Sequence, residues 1–432
     1  MEQEVERITS VIRELGEKFG AGKFEPKVFT DTLEPIFQEL GYRKSPHPKD
    51  QPHVLVVRDD AAGDFVLFSP FLRELRRLYP AAHITLLASR RNQDLAMCCP
   101  HVDNVLLNDL LAKVEGQLFR LEKMAELAKM LLPYHFDLAF MPRLGIKSMS
   151  LVTGYASGAK CRIGFTQDRN VYGQDKIVPT GWNVLLTEAV PFLDGFVSDV
   201  DRNLSLLEYM LKLPLARREL ELWYTEQDRA AALEAIAPLS AKVAKLLAVV
   251  PGASMKMKEW PLELYKEFAG SLLDADRELG AVVMGGPQDQ EIAEELSAAL
   301  GDRAISLAGR LSFRASAAAM SHVICYVGND TALMHFAAAQ KKPILAVEPF
   351  PASLPMSPMA VPVRFQPYQV SAVVVLPPKA VDEKCKELFG YGCAHKDEHH
   401  CIAGVTVEKM RKGWNLLQQR IATGENNVVI MK

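Results

Sequence analysis

The sequence predicts an α/β protein with two parallel-sheet halves facing a central cleft, preceded by a helical extension. Short runs of branched apolar residues alternate with helical patterns from residue 54 onward. The alternation starts afresh near residue 246, whereas the first 50 residues show only helical periodicity. Parallel strands joined by helices are buried on both faces, so each strand is typically a continuous apolar run.

Composition limits the class of protein. The 432 residues suffice for two or three domains, and 49% hydrophobic with 24% charged residues is typical of a globular chain. The net charge of −3 gives no support for a nucleic-acid partner. Charges interrupt the apolar stretches of MEQEVERITSVIRELGEKFG, no run has the roughly 18 apolar residues of a membrane span, and the seven cysteines form no secreted framework. We expect a cytoplasmic protein, with peripheral contact at the cytoplasmic membrane face left open.

The extension covers residues 1–50. Apolar residues recur at helical spacing from Val5 to Phe19, and a second helical pattern spans residues 26–40. The polar, proline-rich stretch YRKSPHPKDQPH follows as a linker. We therefore predict a first half over residues 51–230 and a second half over residues 231–432.

Each half contains predicted βαβ units. Predicted strands lie at 54–58, 83–88, 103–107, 136–140 and 161–165 in the first half, and at 246–250, 281–285, 304–307, 323–327 and 343–347 in the second. Predicted helices lie at 65–79, 118–132, 146–157, 261–274, 288–300, 312–320 and 332–340. This pattern favours two Rossmann-like sheets, which bind ligands outside the carboxyl ends of their strands.

The loop RDDAAGD follows the first strand of the first half and contains Asp64. One interpretation makes Asp64 a helix N-cap, because a carboxylate there accepts backbone N–H bonds. The alternative makes it a base, since the same environment favours the ionised carboxylate.

The loop PGASMKMKEWP follows the first strand of the second half. Its Ser254, Lys256 and Lys258 precede a helix and form a candidate anion cradle. The alternative is a solvated basic turn.

The loop GNDTALMH ends a later strand of the second half and opens a helix. The N–H groups of Thr331, Ala332 and Leu333 are expected to point past the strand ends, with His335 one turn further. Asp330 or Thr331 as a mere cap is the alternative. A diphosphate across this helix start would use all of these groups together.

Other nucleotide schemes lack their signatures. The chain contains neither G-x-G-x-x-G nor GxxxxGK[ST], and no D-x-D stands in the three loops after the strands. A metal-independent site, in which lysine and the helix dipole neutralise a diphosphate, fits better.

Several stretches, in order, resemble glycosyltransferase family 9, the heptosyltransferases of bacterial surface polysaccharide synthesis. They are VLVVRDDAAGDFVLFSPFLRELRRLYPAAHITLL, PGASMKMKEWPLELY, VVMGGPQDQE, SLAGRLSFRASAAAMSHVICYVGNDTALMHFAAAQKKP and HHCIAGVTVEKM, between about residues 53 and 411. The resemblance implies a GT-B fold and an inverting, metal-independent enzyme that needs no cofactor. Its nucleotide-sugar donor would be ADP-heptose, its acceptor a lipopolysaccharide-core or other surface glycan or glycolipid. Residues 51–230 would be the acceptor domain and residues 231–432 the donor domain.

The resemblance also implies residue roles. Asp64 corresponds to the general base, and Lys258 and Asp330 to donor-binding residues. The full donor set is Ser254, Lys256, Lys258, Gly285, Gly286, Gly309, Asp330, Thr331, Ala332, Leu333 and His335, and the acceptor candidates are Arg58, Lys147 and Arg162. The chain departs from the family at Ala332, where most members have glycine, and at Ser198, where many have histidine.

Cys385, Cys393 and Cys401 are separated by seven residues each, with histidines among them. A structural metal on these cysteines is one interpretation, although this spacing differs from common zinc modules. No metal is expected at the reaction site.

Two other functions stay open at this stage. A GT-B-type nucleotide-sugar epimerase would consume donor without an acceptor. A catalytically weak binding or scaffold protein is suggested by Ala332 and the helical extension.

Overall fold

The computed structural model describes residues 2–19, 24–108, 121–143, 149–167, 180–191, 193, 195, 197–353, 361–381, 395 and 397–432. Its compact parts are two units. Unit 1 comprises Met1–Ala61, Pro70–Gly195 and Val200–Arg218, and unit 2 comprises Ala62–Ser69, Phe196–Asp199 and Glu219–Lys432. This division does not show which part binds the acceptor and which binds the donor. The predicted domain roles and their boundaries therefore stay predictions.

The N-terminal extension forms two helices, α1 (Glu2–Phe19) and α2 (Pro26–Glu39). Their apolar faces, including Ile8, Ile12 and Phe37, are fully buried in the same core cluster as Leu55 and Val57 of the first predicted strand. The extension thus shares the core of unit 1.

The rest of the first Rossmann-like half follows in order: β1 (His53–Arg58), α3 (Ala62–Leu78), β2 (His83–Ala88), α4 (Gln93–Ala96), β3 (Asn104–Leu107), α5 (Leu121–Leu131), β4 (Leu138–Met141), α6 (Met149–Ala156), β5 (Cys161–Phe165), β6 (Glu188–Val190) and α7 (Asp199–Leu211). All strands pair in parallel, in the order β3-β2-β1-β4-β5-β6. The five strands predicted here are confirmed to within three residues. The three-residue β6 was missed, because so short a run carries little periodicity.

The second half contains α8 (Glu226–Ser240), β7 (Lys245–Val250), α9 (Leu262–Ala275), β8 (Leu279–Val283), α10 (Gln290–Leu300), β9 (Ala304–Ser306), α11 (Phe313–Met320), β10 (Cys325–Asn329), α12 (Ala332–Ala339), β11 (Ile344–Val347), α13 (Val361–Arg364), β12 (Ala372–Val375), α14 (Val407–Thr423) and β13 (Val428–Met431). Its parallel sheet has the order β13-β12-β11-β10-β7-β8-β9. The strands β12 and β13 were not predicted and extend this sheet at one side.

No helix in the described ranges combines the length and apolar character needed to cross a membrane.

Candidate active site

The strand order of the second sheet brings two of the predicted loops together. The chain runs from β7 outward to β8 and β9, then returns to β10 on the other side of β7. Val250 at the end of β7 pairs with Gly328 near the end of β10, so their loops leave the sheet side by side. Such a reversal of direction is where doubly wound sheets bind ligands, at the carboxyl ends of the strands.

Asn329 holds these two loops together. Its side-chain oxygen accepts the Trp260 N–H at 3.1 Å and the Tyr265 hydroxyl at 2.9 Å, and its amide nitrogen donates to the Pro251 carbonyl at 2.7 Å. The side chain is fully buried, where each lost bond would leave a polar group unsatisfied. Asn329 was not predicted as a site residue, although its position between Gly328 and Asp330 was a usable signal.

Lys258 and Asp330 form an ion pair across these loops. Lys258 ends a short 3₁₀ turn (Lys256–Lys258), and its Nζ lies 2.7 Å from Oδ2 of Asp330. The two side chains are 16% and 7% exposed, so the pair is only weakly screened by solvent. The structure thus brings together two residues to which the resemblance assigns donor binding.

A third charged side chain, Glu348, lies beside this pair. It follows β11, whose neighbour β10 precedes Asp330, and it is fully buried. Burial raises the pKa of Glu348 well above its usual range, the charge of Asp330 raises it further, and Lys258 opposes both. Glu348 was not predicted, because a glutamate after an apolar run looks like the first residue of a surface loop.

The first turn of α12 lies next to Asp330. Thr331 is the N-cap residue, but its side chain does not cap the helix, and the N–H of Met334 bonds to the Thr331 carbonyl at 3.1 Å. The preceding N–H groups of a first turn have no acceptor within their own helix. Thr331 and Ala332 are partly exposed. This helix start therefore offers the partial positive charge that anions prefer.

His335 lies one turn into α12 and is 4% exposed. Burial lowers the pKa of His335, with Asp330 and Asp64 opposing and Lys258 adding to the effect, so the imidazole is neutral at pH 7. Its Nδ1 has no hydrogen-bond partner among the residues that the structure describes.

Gly63 packs directly against α12 within unit 2. A Cβ added to Gly63 would lie 2.8 Å from Cδ2 of His335 and 3.3 Å from the Ala332 Cα. Further along the same segment, Ser69 Oγ accepts the Glu221 N–H at 2.8 Å. Glycine at residue 63 therefore permits the close approach of the Gly-Asp turn to the helix start.

Asp64 lies in the first turn of α3 and is partly exposed. The N-cap of α3 is Ala61, and no side chain caps it. The alternative in which Asp64 is the N-cap is therefore wrong, because the N-cap lies three residues earlier, at Ala61. Its charge still complements the helix dipole.

Two of the predicted glycines, Gly285 and Gly286, contact Asp289, as does Gly252. A Cβ on Gly285 would meet Asp289 at 2.7 Å, and one on Gly252 would meet it at 2.3 Å. Asp289 in turn accepts the Gly286 N–H at 2.7 Å, and burial raises its pKa. Gly309 has a φ of +68°, a conformation that favours glycine. These contacts explain the glycines structurally, and their role at a nucleotide stays a prediction.

Ser254 and Lys256 are exposed. Lys256 Nζ pairs with Glu259 at 2.7 Å, on the surface of its own turn. The two lysines predicted as one cradle thus differ: Lys258 points to the Asp330 carboxylate, and Lys256 lies on the solvated side of the turn.

Two of the acceptor candidates, Arg58 and Arg162, are held by contacts within the protein. The guanidinium of Arg162 donates to the carbonyls of Leu185 at 2.9 Å and Ala159 at 2.8 Å, and it lies over the Tyr155 ring. Arg58 pairs with Asp60 at 3.0 Å and is 2% exposed. These contacts favour structural roles for both arginines, and acceptor binding by either stays a prediction.

Three predicted residues, Lys147, Cys385 and Cys393, lie outside the described residues. Cys401 is buried, and its Sγ is 3.3 Å from Nδ1 of His400. Within the described part of the chain, no group of three or more His, Cys, Asp or Glu side chains is arranged to hold a metal ion.

Comparison with known proteins decides the family. The family described as "Glycosyltransferase family 9 (heptosyltransferase)" matches residues 124–393, more than half of the chain. The chain belongs to glycosyltransferase family 9. It is thus a glycosyltransferase of the heptosyltransferase family.

Curated relatives agree with this membership. The chain is 26% identical over 301 residues to lipopolysaccharide heptosyltransferase 2 of Escherichia coli K12, covering 68% of this chain and 82% of the relative. It is 25% identical over 306 residues to the enzyme of the same name from Salmonella typhimurium LT2, with the same coverage of each chain.

Solved structures share the fold. The family 9 glycosyltransferase of Veillonella parvula aligns with a TM-score of 0.65 at 19% identity, over 85% of this chain and 97% of that one. The ADP-heptose heptosyltransferase II of E. coli aligns with a TM-score of 0.60 at 20% identity, over 86% and 99%. The predicted α/β fold class, GT-B, is confirmed.

Proposed function

We propose that this family 9 glycosyltransferase transfers heptose from ADP-heptose to a lipopolysaccharide-core or other surface glycan, with inversion at the anomeric carbon. Support for the sugar and the acceptor comes from the names of the curated relatives. Support for the nucleotide comes from a structural relative at a TM-score of 0.60, the E. coli heptosyltransferase WaaC, whose structure is described as containing ADP.

The observation that carries the proposal is the convergence of four groups in unit 2: the Gly-Asp turn, the start of α12, Lys258 and Asp330. Gly63 touches α12, and the Lys258–Asp330 pair precedes the same helix. We assign the diphosphate to the N–H groups at Thr331–Leu333 and to Lys258, because a helix start and an ammonium both favour negative charge. Asp330 then lies where a carboxylate can accept hydrogen bonds from the sugar.

Asp64 acts as the general base in this proposal. The acceptor hydroxyl loses its proton to the Asp64 carboxylate as its oxygen forms a bond to the anomeric carbon. The bond from that carbon to the diphosphate oxygen breaks at the same time, and ADP leaves with the electron pair. Attack from the face opposite the diphosphate inverts the centre, and proton removal contributes on the order of 100-fold or more to the rate.

The leaving diphosphate requires charge stabilisation, and Lys258 with the helix dipole supplies it in our proposal, so no metal is needed. His335, one turn into α12, has a pKa lowered by burial and so adds no charge of its own to the helix start. Arg58, Lys147 and Arg162 remain the acceptor-side candidates. A lipid-linked acceptor would bring a cytoplasmic enzyme into peripheral contact with the inner membrane surface.

A donor screen tests this function. Thermal unfolding of the purified protein is recorded with ADP-, UDP-, GDP- and CMP-linked sugars, since a ligand that binds the folded state raises the Tm. We expect ADP-heptose to stabilise most, with and without excess chelator. Release of ADP that requires a glycan acceptor would support transfer, whereas donor turnover without any acceptor would indicate an epimerase. Absence of stabilisation by every donor would contradict the proposal.

A further inference from the structure

The register of β10 and β11 places two carboxyl groups next to each other. Asn329 pairs with Val347, so Asp330 and Glu348 are the next residues on neighbouring parallel strands. The Glu348 N–H donates to the Val375 carbonyl at 3.1 Å, which fixes its backbone in the sheet. Among the residues that the structure describes, the charged groups that act on Glu348 are Asp330 and Lys258.

Glu348 is an unusual buried residue. Its exposed fraction is 0%, and neither carboxyl oxygen has a hydrogen-bond partner among the described residues. A buried carboxyl without partners costs free energy that a purely structural position would avoid, because an apolar side chain of similar size would cost nothing. The two oxygens therefore have unused hydrogen-bonding capacity beside the Lys258–Asp330 pair.

Charge decides which part of a nucleotide sugar suits this position. The Asp330 carboxylate disfavours an anion at this position, so we assign the diphosphate to the start of α12 instead. An uncharged carboxyl offers one O–H donor and further acceptor capacity, whereas the Asp330 carboxylate, paired with Lys258, only accepts. Neighbouring sugar hydroxyls, each both donor and acceptor, match this combination.

We propose that Glu348, beside Asp330, binds hydroxyl groups of the transferred sugar and is a specificity-determining residue for the donor. This inference rests on the proposed function, since it assigns the sugar of that donor to the Lys258–Asp330–Glu348 cluster.

The test compares ADP-heptose with ADP, because both contain the diphosphate and only the former carries the sugar. Calorimetry gives the Kd of each ligand for the wild type, Glu348→Leu and Glu348→Gln. We expect Glu348→Leu to weaken ADP-heptose about tenfold, the scale of one net hydrogen bond, and to leave ADP within about threefold. Glu348→Gln, which replaces a neutral carboxyl with an amide donor and acceptor, should retain most of the preference for the sugar.

Two controls keep the test decisive. Circular dichroism and Tm check the fold, and Glu348→Leu should melt at or above the wild-type temperature because it removes an unsatisfied buried group. Glu295→Leu, on a side chain that is 54% exposed, is the matched control for the substitution and should leave both Kd values unchanged.

The outcomes separate the inference from the function. If Glu348→Leu binds ADP-heptose as the wild type does, or loses ADP and ADP-heptose equally, Glu348 is structural or holds only an ordered water, and the inference is overturned. If calorimetry detects no binding of ADP-heptose to the wild type, the proposed function is wrong, and the inference fails with it.

Discussion

The Lys258 ammonium lies 2.7 Å from the Asp330 carboxylate, although 72 residues separate them in the chain. The pair joins the loop after β7 to the loop after β10, where the direction of the sheet reverses. Lys258 therefore has a negative partner before any anion binds, and a diphosphate must share or replace that partner.

Removing the ammonium tests this arrangement. We expect Lys258→Ala to weaken ADP-heptose binding by about 10- to 150-fold, since a hydrogen bond to a charged group contributes about 1.5–3 kcal/mol. Calorimetry measures the change. Lys266→Ala, which removes a surface lysine paired with Glu263 and Glu295, is the control and should keep the wild-type Kd. An unchanged Kd for Lys258→Ala would remove this lysine from the donor site.

Asp64→Asn separates chemistry from structure. The N-cap of α3 is Ala61, so the substitution does not remove a cap, and asparagine keeps the size of the side chain. We expect the Tm and the donor Kd to stay near wild type while turnover falls about 100-fold or more, because the basic carboxylate is lost. Steady-state kinetics with the glycan acceptor measure turnover. Near-wild-type turnover would show that Asp64 is not the general base.

The close approach of Gly63 to α12 predicts a steric effect. Alanine at residue 63 would place a methyl group 2.8 Å from the His335 ring, which is buried and cannot move freely. We expect Gly63→Ala to destabilise the fold by about 1–3 kcal/mol, the usual cost of overpacking, and to lower the Tm.

Gly270→Ala is the matched control for Gly63→Ala. A Cβ at residue 270, inside α9, would lie 3.9 Å from Leu300 and meet nothing closer. Alanine in a helix interior is favoured over glycine by roughly 0.5–1 kcal/mol, so this variant should gain stability. Equal Tm values for the two variants would show that the His335 ring accommodates the added methyl group without a loss of stability.

The helical extension predicts a pH dependence of stability. Burial raises the pKa of Glu34, but its hydrogen bonds and ion pair with Arg43, supported by Tyr155 and Arg162, lower the pKa to about 2 from an ordinary 4.5. The stabilisation is therefore complete above pH 4.5 and is lost as the pH falls through 2. Urea unfolding across that range should show decreasing stability, with a smaller slope for Glu34→Gln.

Glu39→Gln is the control for the pH experiment. Glu39 pairs with Arg7 at 2.7 Å, but its side chain is 60% exposed and its partner 47%. Exposed pairs are screened and contribute little, so this variant should follow the wild-type profile. If Glu34→Gln and Glu39→Gln both follow the wild-type pH profile, the Glu34–Arg43 pair does not contribute to stability in this pH range.

The sequence alone determined the fold class and most of the elements. Continuous apolar runs such as those of β1 and β7 are typical of strands covered on both faces, and helical patterns between them require parallel crossovers. The loops at residues 58–64, 251–261 and 328–335 were predicted as ligand loops for the same reason, because ligand loops follow strand ends. The motifs in these loops indicated family 9 before any geometry was known.

Only the tertiary structure decided which side chains meet. The pairing of Lys258 with Asp330 depends on β10 returning beside β7, and the position of Glu348 depends on the register of β11 against β10. The separation of Lys256 from Lys258 depends on the 3₁₀ turn that points them to different sides. Local periodicity does not predict such contacts, because strand order and register depend on burial across the whole sheet.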